Sequence, residues 1–206
     1  MVEGDAATGG ATGEATGAAT SSGPMGRLVL VVGPSGAGKD TLLDLARAAL
    51  ANRQGIHFAR RAITRPADAG GEAHEAITEA AFEAGVAAGR FFAHWRAHGL
   101  GYGLPAEIGA RLAQGETVVV NASRAALAEI AARYARTEVV IIDAPLALRA
   151  ERLAARGRED AADIARRQAR QAPLPPEGLA VTTVMNDATP EKGAARLVAV
   201  LADHGV

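Results

Sequence analysis

Three glycines and a lysine, Gly33, Gly36, Gly38 and Lys39, stand between a continuous apolar run, Arg27 to Val32, and a stretch whose leucines recur at helical spacing. No other feature of the chain constrains its fold as much. The run of leucine and valine lacks the polar alternation of a half-exposed strand, so it reads as a strand buried on both faces. Beyond the glycines, Leu42, Leu43, Leu45, Ala46, Ala49 and Leu50 predict a helix from Lys39 to Leu50. Gly33-Pro34-Ser35-Gly36-Ala37-Gly38-Lys39 therefore matches G-x-x-x-x-G-K in the strand, loop, helix context that this motif requires. Its glycines let the main chain curl until its N–H groups converge on phosphate oxygens, and the helix N-terminus adds a favourable dipole. Lys39 supplies a mobile positive charge for the outer phosphates. A glycine-rich turn that binds nothing is the competing reading, and the order strand, loop, lysine, helix weighs heavily against it.

The next position departs from the usual motif, which places Ser or Thr there; here it is Asp40, followed by Thr41. Two readings of Asp40 stand level. It is a hard-oxygen ligand for magnesium, directly or through water, or it is an acidic residue favoured in the first turn of a helix.

The alternation of strand and helix continues along the chain. Thr117–Val120, Glu138–Ile142 and Leu179–Val184 read as further buried strands, with His57–Ile63 as a fifth. Helices are expected from Ser123 as N-cap to about Tyr134, from Pro145 to Arg156, and from Thr189-Pro190-Glu191 to Ala202. This rhythm predicts an α/β fold, a parallel five-stranded core sheet with helices on both faces in three layers. Residues 64–103 break it and hold most of the aromatics, Phe82, Phe91, Phe92, Trp95 and Tyr102, as an inserted acceptor-binding segment. Residues 1–25 are rich in Ala, Gly, Thr and Ser and are expected to be a disordered tail ahead of a single domain, 26–206.

Composition excludes several classes of function. The chain's 206 residues carry 22 basic and 23 acidic side chains, so it has no overall electrostatic footprint for nucleic acid or an anionic membrane. Cysteine is absent, which removes disulfides, thiolate metal sites and cysteine nucleophiles and is compatible with the cytoplasm. No apolar stretch is long enough to span a membrane. Only Lys39 and Lys192 are lysines, so arginine counts are discounted as a compositional habit.

Several stretches in order after the loop resemble the guanylate kinase-like branch of the nucleoside monophosphate kinases, and within it the ribose 1,5-bisphosphate phosphokinase family. They are Ile63 to His74, His98 to Gly103, Val120 to Arg124, Arg152 to Glu159, and Asn186-Asp187. Asp68, Asn121 and the Ala73-His74-Glu75 stretch separate the chain from guanylate kinases, which carry an arginine, an aspartate and a tyrosine at or near these places. The resemblance implies transfer of the terminal phosphoryl of ATP, with Mg2+, to the 1-phosphate of ribose 1,5-bisphosphate, giving 5-phosphoribosyl 1-diphosphate and ADP. Such an acceptor is already an anion at neutral pH, so no strong general base is required. Positioning and charge neutralisation carry the catalysis.

The resemblance assigns Lys39, Arg156 and Arg167 to the reaction, with a lid at about 156–171, and Gly33 to Thr41 to the nucleotide. It assigns Arg65, His74, Tyr102, Asn121 and Arg124 to the acceptor. Arg65 is the main candidate for gripping an acceptor phosphate. Tyr102 is balanced between substrate contact and core packing, and His74 between sugar contact and an inert loop position. Asn121 and Arg124 fall at the end of a parallel strand, where open α/β sheets bind ligands. Arg149, Arg152 and Arg156 share a helix face, with Arg149 and Arg170 assigned to the solvated surface. Rival readings are guanylate kinase or another small-acceptor kinase, and a non-catalytic guanylate kinase-like binding module. The oligomeric state is left open.

Overall fold

A computed structural model describes residues 25–69, 72–155 and 175–203. Residues 1–24 of the proposed tail, the lid with Arg156, Arg167 and Arg170, and Gly70-Gly71 lie outside the described residues. The elements run β1 (Arg27–Val32), α1 (Lys39–Ala49), β2 (Ile56–Phe58), β3 (Ala62–Ile63), β4 (Glu75–Ala76), α2 (Glu79–Ala87), β5 (Phe91–Ala97) and β6 (Leu100–Pro105). They continue with α3 (Glu107–Ala113), β7 (Thr117–Asn121), a 3-10 turn (Arg124–Ala126), α4 (Leu127–Ala131), β8 (Thr137–Asp143), α5 (Leu146–Ala155), β9 (Ala180–Met185) and α6 (Pro190–Ala202).

Five of these strands form a parallel sheet in the order β2-β7-β1-β8-β9. β1 lies at its centre, which is why its residues are apolar on both sides. Leu28, Leu30 and Val32 face one core with Val118, Val120, Ile108, Leu112 and Ile130. Val29 and Val31 face the other with Leu42, Ala46, Ile142, Leu197 and Leu201. Helices thus cover both faces of the central strands, as a parallel sheet requires. The expected buried run Leu179–Val184 is instead the edge strand β9, exposed at every position but Val184. Thr189 caps α6 by accepting a hydrogen bond from Lys192 N at 3.4 Å, with Pro190 in the first turn.

The expected strand His57–Ile63 is two strands. Its first part pairs with β7 in the parallel sheet, and its last two residues pair with β6 and β4 in a second, four-stranded sheet ordered β4-β3-β6-β5. The chain leaves the core after Phe58, because Arg60 and Arg61 cannot continue a buried parallel strand. The insertion is therefore a small mixed sheet over 62–105 carrying α2. Its own core is Ala62, Phe82 and Phe91, backed by Ile77 and Val86.

Glycines on β6 admit this packing. A Cβ at Gly101 would lie 2.8 Å from the Phe82 ring and one at Gly103 would lie 2.4 Å from the Phe91 ring. The β5–β6 turn uses His98 and Gly99, both at positive φ, as a two-residue hairpin requires. No helix among the described residues is long and apolar enough to cross a membrane.

Candidate active site

The carboxyl ends of β1, β7, β8 and β9 deliver the phosphate loop, Asn121, Asp143 and Asn186 to one edge of the parallel sheet. Side chains from the insertion close over the same edge. In the loop, Gly36 and Gly38 have φ of 81° and 82°, the left-handed region that favours glycine. Space alone would also demand glycine: a Cβ at Gly36 would sit 2.5 Å from Arg149 O, and one at Gly38 would sit 2.4 Å from Asn186 Nδ2. The loop is braced from behind. Asn186, 2% exposed, donates to Ala37 O at 2.8 Å, and Arg152 reaches Ala37 O at 3.5 Å and Asn186 O at 3.3 Å.

Lys39 opens α1 and turns its ammonium toward β7. Its Nζ donates to Asp40 Oδ1 at 2.9 Å and to Asn121 Oδ1. Asn121 then donates through Nδ2 to Asp40 Oδ1 at 3.1 Å and to Glu72 Oε2. The amide is fully used: its oxygen takes the cation, and its two hydrogens go to two carboxylates. An aspartate at position 121 would add a third carboxylate to Asp40 and Glu72, which explains the neutral residue here. Burial pushes the Asp40 carboxyl up, but the Lys39 charge, hydrogen bonds from Lys39 and Asn121, and the Arg61 charge outweigh it. They hold Asp40 below the usual carboxylate range.

From the insertion side, Arg61 donates Nε to Glu72 Oε1 at 2.7 Å and pairs with it through Nη2 as well. The Arg61 guanidinium lies 5.7 Å from the Trp95 ring centre and 5.1 Å from that of Tyr102. Those two rings stack in parallel at 5.3 Å. Asp40, Phe58, Arg61, Glu72, Val119 and Asn121 are among the residues lining a narrow cleft of about 10 Å³, room for about one water.

Of the residues singled out from sequence, Lys39, Asp40 and Asn121 come together in direct contact. Arg65 and His74 form a second group on the insertion loop. Arg65 Nη2 lies 3.3 Å from His74 Nδ1, and the Arg65 Nε has no partner among the described residues. His74 is 3% exposed, and its ring nitrogens face main-chain oxygens, Nδ1 that of Glu72 at 3.0 Å and Nε2 that of Arg65 at 3.1 Å. Tyr102 is half-buried on Trp95, and Arg65 also borders a separate open cleft with Thr64, Pro66 and Thr78. Arg124 stands apart with Asp143 and Arg149; burial and the Arg149 charge lower its pKa against the opposing effect of Asp143.

One expectation is corrected. Arg149 is no solvated surface charge: its side chain is 18% exposed, its Nε lies 3.8 Å from Asp143 Oδ1, and its carbonyl abuts Gly36. Arg61, Glu72, Arg152 and Asn186 were not assigned to the site from sequence. Asn186 had a readable signal, a polar residue ending a parallel strand. Glu72 lay in the stretch Ile63 to His74 that carries the resemblance but had no role there, and Arg61 had no signal, since nothing local distinguishes it from other surface charges of the insertion.

Donor chemistry at this edge fits MgATP. The loop offers main-chain N–H groups and an amine, and the ionised, part-exposed Asp40 is a hard-oxygen ligand of the kind magnesium takes alongside water and phosphate. Among the described residues no cluster of three or more His, Cys, Asp or Glu could hold a metal unaided.

A phosphate loop between β1 and α1, a five-stranded parallel sheet and an insertion facing the loop define a P-loop kinase of guanylate kinase-like fold. Guanylate kinase from Anaplasma phagocytophilum superposes with a TM-score of 0.60 at 17% identity, over 87% of this chain and 86% of that one. No family model matches the chain. It is 51% identical over 176 residues to ribose 1,5-bisphosphate phosphokinase PhnN of Methylobacterium radiotolerans, covering 85% of this chain and 97% of that protein. It is 44% identical to the protein of the same name from Agrobacterium fabrum, covering 84% of this chain and 95% of the relative. The bifunctional ribose 1,5-bisphosphokinase-thymidine phosphorylase of Azorhizobium caulinodans is 52% identical over 85% of this chain, which spans 25% of that longer protein. The chain belongs to the ribose 1,5-bisphosphate phosphokinase family.

Proposed function

We propose that this chain transfers the terminal phosphoryl group of ATP to the 1-phosphate of ribose 1,5-bisphosphate, forming 5-phosphoribosyl 1-diphosphate and ADP in phosphonate breakdown. The observation that carries this reading is the contact of Lys39, Asp40 and Asn121 at the mouth of the phosphate loop, facing a cleft lined by Arg61. MgATP supplies the phosphoryl group and divalent charge neutralisation. The loop amides of Gly33 to Lys39 hold the donor's phosphates, and Lys39 balances charge on the outer ones as the transferring group loosens. Asp40, ionised well into the acid range, is the residue to hold the metal. Thr41 completes the nucleotide site.

On the acceptor side, Arg65 grips a phosphate of the sugar, Asn121, Tyr102 and Arg124 meet the acceptor elsewhere, and His74 holds the loop in shape through its ring nitrogens. Arg156 and Arg167 bring positive charge from a lid over 156–171. No general base is assigned, because a phosphate acceptor is already ionised at neutral pH. The reaction is expected in the cytoplasm and with no nucleic-acid or membrane partner.

ADP release measured with ribose 1,5-bisphosphate and with GMP as acceptors tests the reading. Efficient turnover with the sugar bisphosphate and poor turnover with GMP is the expected result. A preference for GMP would make the chain a guanylate kinase, and no turnover with any acceptor would return it to a binding module.

A further inference from the structure

Arg61 and Glu72 have no part in the chemistry above, yet they are the most enclosed charged side chains lining the cleft, 11% and 15% exposed. Every hydrogen bond the Glu72 carboxylate accepts among the described residues comes from this one place. Oε1 takes Nε and Nη2 of Arg61, and Oε2 takes Nδ2 of Asn121. Three N–H donors thus converge on a carboxylate, two from a planar fork and one from an amide. That donor set suits a phosphate oxygen face equally well.

Each donor also has a support other than Glu72. Arg61 is held from behind by the stacked Trp95 and Tyr102 rings, which favour a cation over their faces. Asn121 is held by Lys39 and Asp40. The donors therefore stay aimed at the cleft if the glutamate side chain turns away. A doubly charged acceptor phosphate cannot share them with a carboxylate at contact distance, and the cleft of about 10 Å³ leaves no room for both. Since Lys39 bonds the same amide, an anion seated there lies next to the amine that meets the donor's outer phosphates.

We infer that Arg61 and the Asn121 amide form the subsite for the reacting acceptor phosphate, and that Glu72 is a built-in carboxylate that occupies this subsite until the acceptor displaces it. This deepens the proposed function and rests on it for the identity of the acceptor. It narrows the roles there: Asn121 meets the phosphate that reacts, and Arg65, beyond His74, is left for the other end of the sugar.

Inorganic phosphate titrated by calorimetry into the full chain saturated with MgADP reads this subsite without turnover, since the loop is then filled. Glu72→Gln keeps the shape and removes the charge. It is expected to tighten phosphate binding by about tenfold or more, the effect of removing one like charge at contact distance. The gain should vanish in the Arg61→Gln/Glu72→Gln double variant, which removes both partners and leaves no buried charge uncompensated. In steady state Glu72→Gln should lower KM for ribose 1,5-bisphosphate and leave KM for ATP unchanged. Unchanged or weaker phosphate binding in Glu72→Gln overturns the inference, and a raised acceptor KM overturns it in favour of Glu72 as a ligand of sugar hydroxyls. If ribose 1,5-bisphosphate is no substrate at all, the functional reading falls, while the phosphate titration still decides for or against the subsite.

Discussion

The two walls of the cleft satisfy their charges in different ways. On the loop wall, the groups for phosphate come from seven consecutive residues, Gly33 to Lys39, and most are main-chain amides whose direction follows from the curl of the loop. On the insertion wall, the charged groups are side chains spaced along one loop, Arg61, Arg65, Glu72 and His74, oriented by one another and, for Arg61 and Glu72, by residues distant in sequence. Arg61 needs Trp95 and Tyr102 beneath it, and Glu72 needs Asn121 across the cleft. A backbone site is robust to side-chain change and indifferent to the acceptor. A site of paired side chains is fragile and selective, because each member left alone is an uncompensated charge.

The sharpest break in this contrast is Lys39→Ala. It should lower turnover by about three orders of magnitude, at the upper end for loss of one preorganised charged donor, with little change in melting temperature. Turnover near normal would remove Lys39 from the mechanism. Next, Arg61→Ala should destabilise the fold by about 3 kcal/mol by leaving the half-buried Glu72 without its cation, and Arg61→Ala/Glu72→Ala should cost less than the single change. Urea unfolding of both decides, and additive losses would mean that the pair is not coupled.

Phe82→Ala sharpens the comparison from the packing side. Phe82 is 2% exposed and stacks on Phe91 with ring centres 5.6 Å apart, so its loss should cost about 3 kcal/mol. Because that core belongs to the insertion alone, KM for the acceptor should rise while KM for ATP stays put. Equal effects on both would show that the two walls are not separable.

A smaller effect is expected at Asp40, whose folded pKa is held below 3.8. Its contribution to stability is complete above the unfolded value and is lost as pH falls through the lowered folded value. Unfolding curves for Asp40→Asn and the native protein should therefore converge below about pH 4 and separate above it. A gap independent of pH would show that the charge is not responsible. Smallest of all, Arg96→Ala removes an exposed pairing with Glu79 and Glu83 and should leave the melting temperature unchanged, as surface pairs usually do.

Much of this was legible beforehand. The apolar runs of β1, β7 and β8, the Thr189 cap and the phosphate loop are local patterns whose meaning does not depend on what lies opposite. Arg27 to Val32 read as a strand buried on both faces because leucine and valine follow Arg27 without a polar break, and β1 is indeed central. Asn121 was readable as a strand-end residue on the edge beside the phosphate loop, where it meets Lys39 and Asp40. The break in His57–Ile63 was not, since β-forming residues on either side of Arg60 and Arg61 do not reveal that the two halves join different sheets. Arg149 was misassigned for a related reason: helical spacing places it on the arginine face of α5 but does not say that this face is pressed against Gly36.

Sequence by itself determined the class of fold and the course of the glycine-rich loop between β1 and α1, because periodicity and glycine-rich curvature are properties of neighbouring residues. Only the tertiary structure decided that Asn121 joins Lys39, Asp40 and Glu72, and that Arg61 sits on two aromatic rings. Ion pairing and ring stacking depend on separation in space, and the parallel pairing of β1 with β7 brings Lys39 to Asn121, 82 positions away.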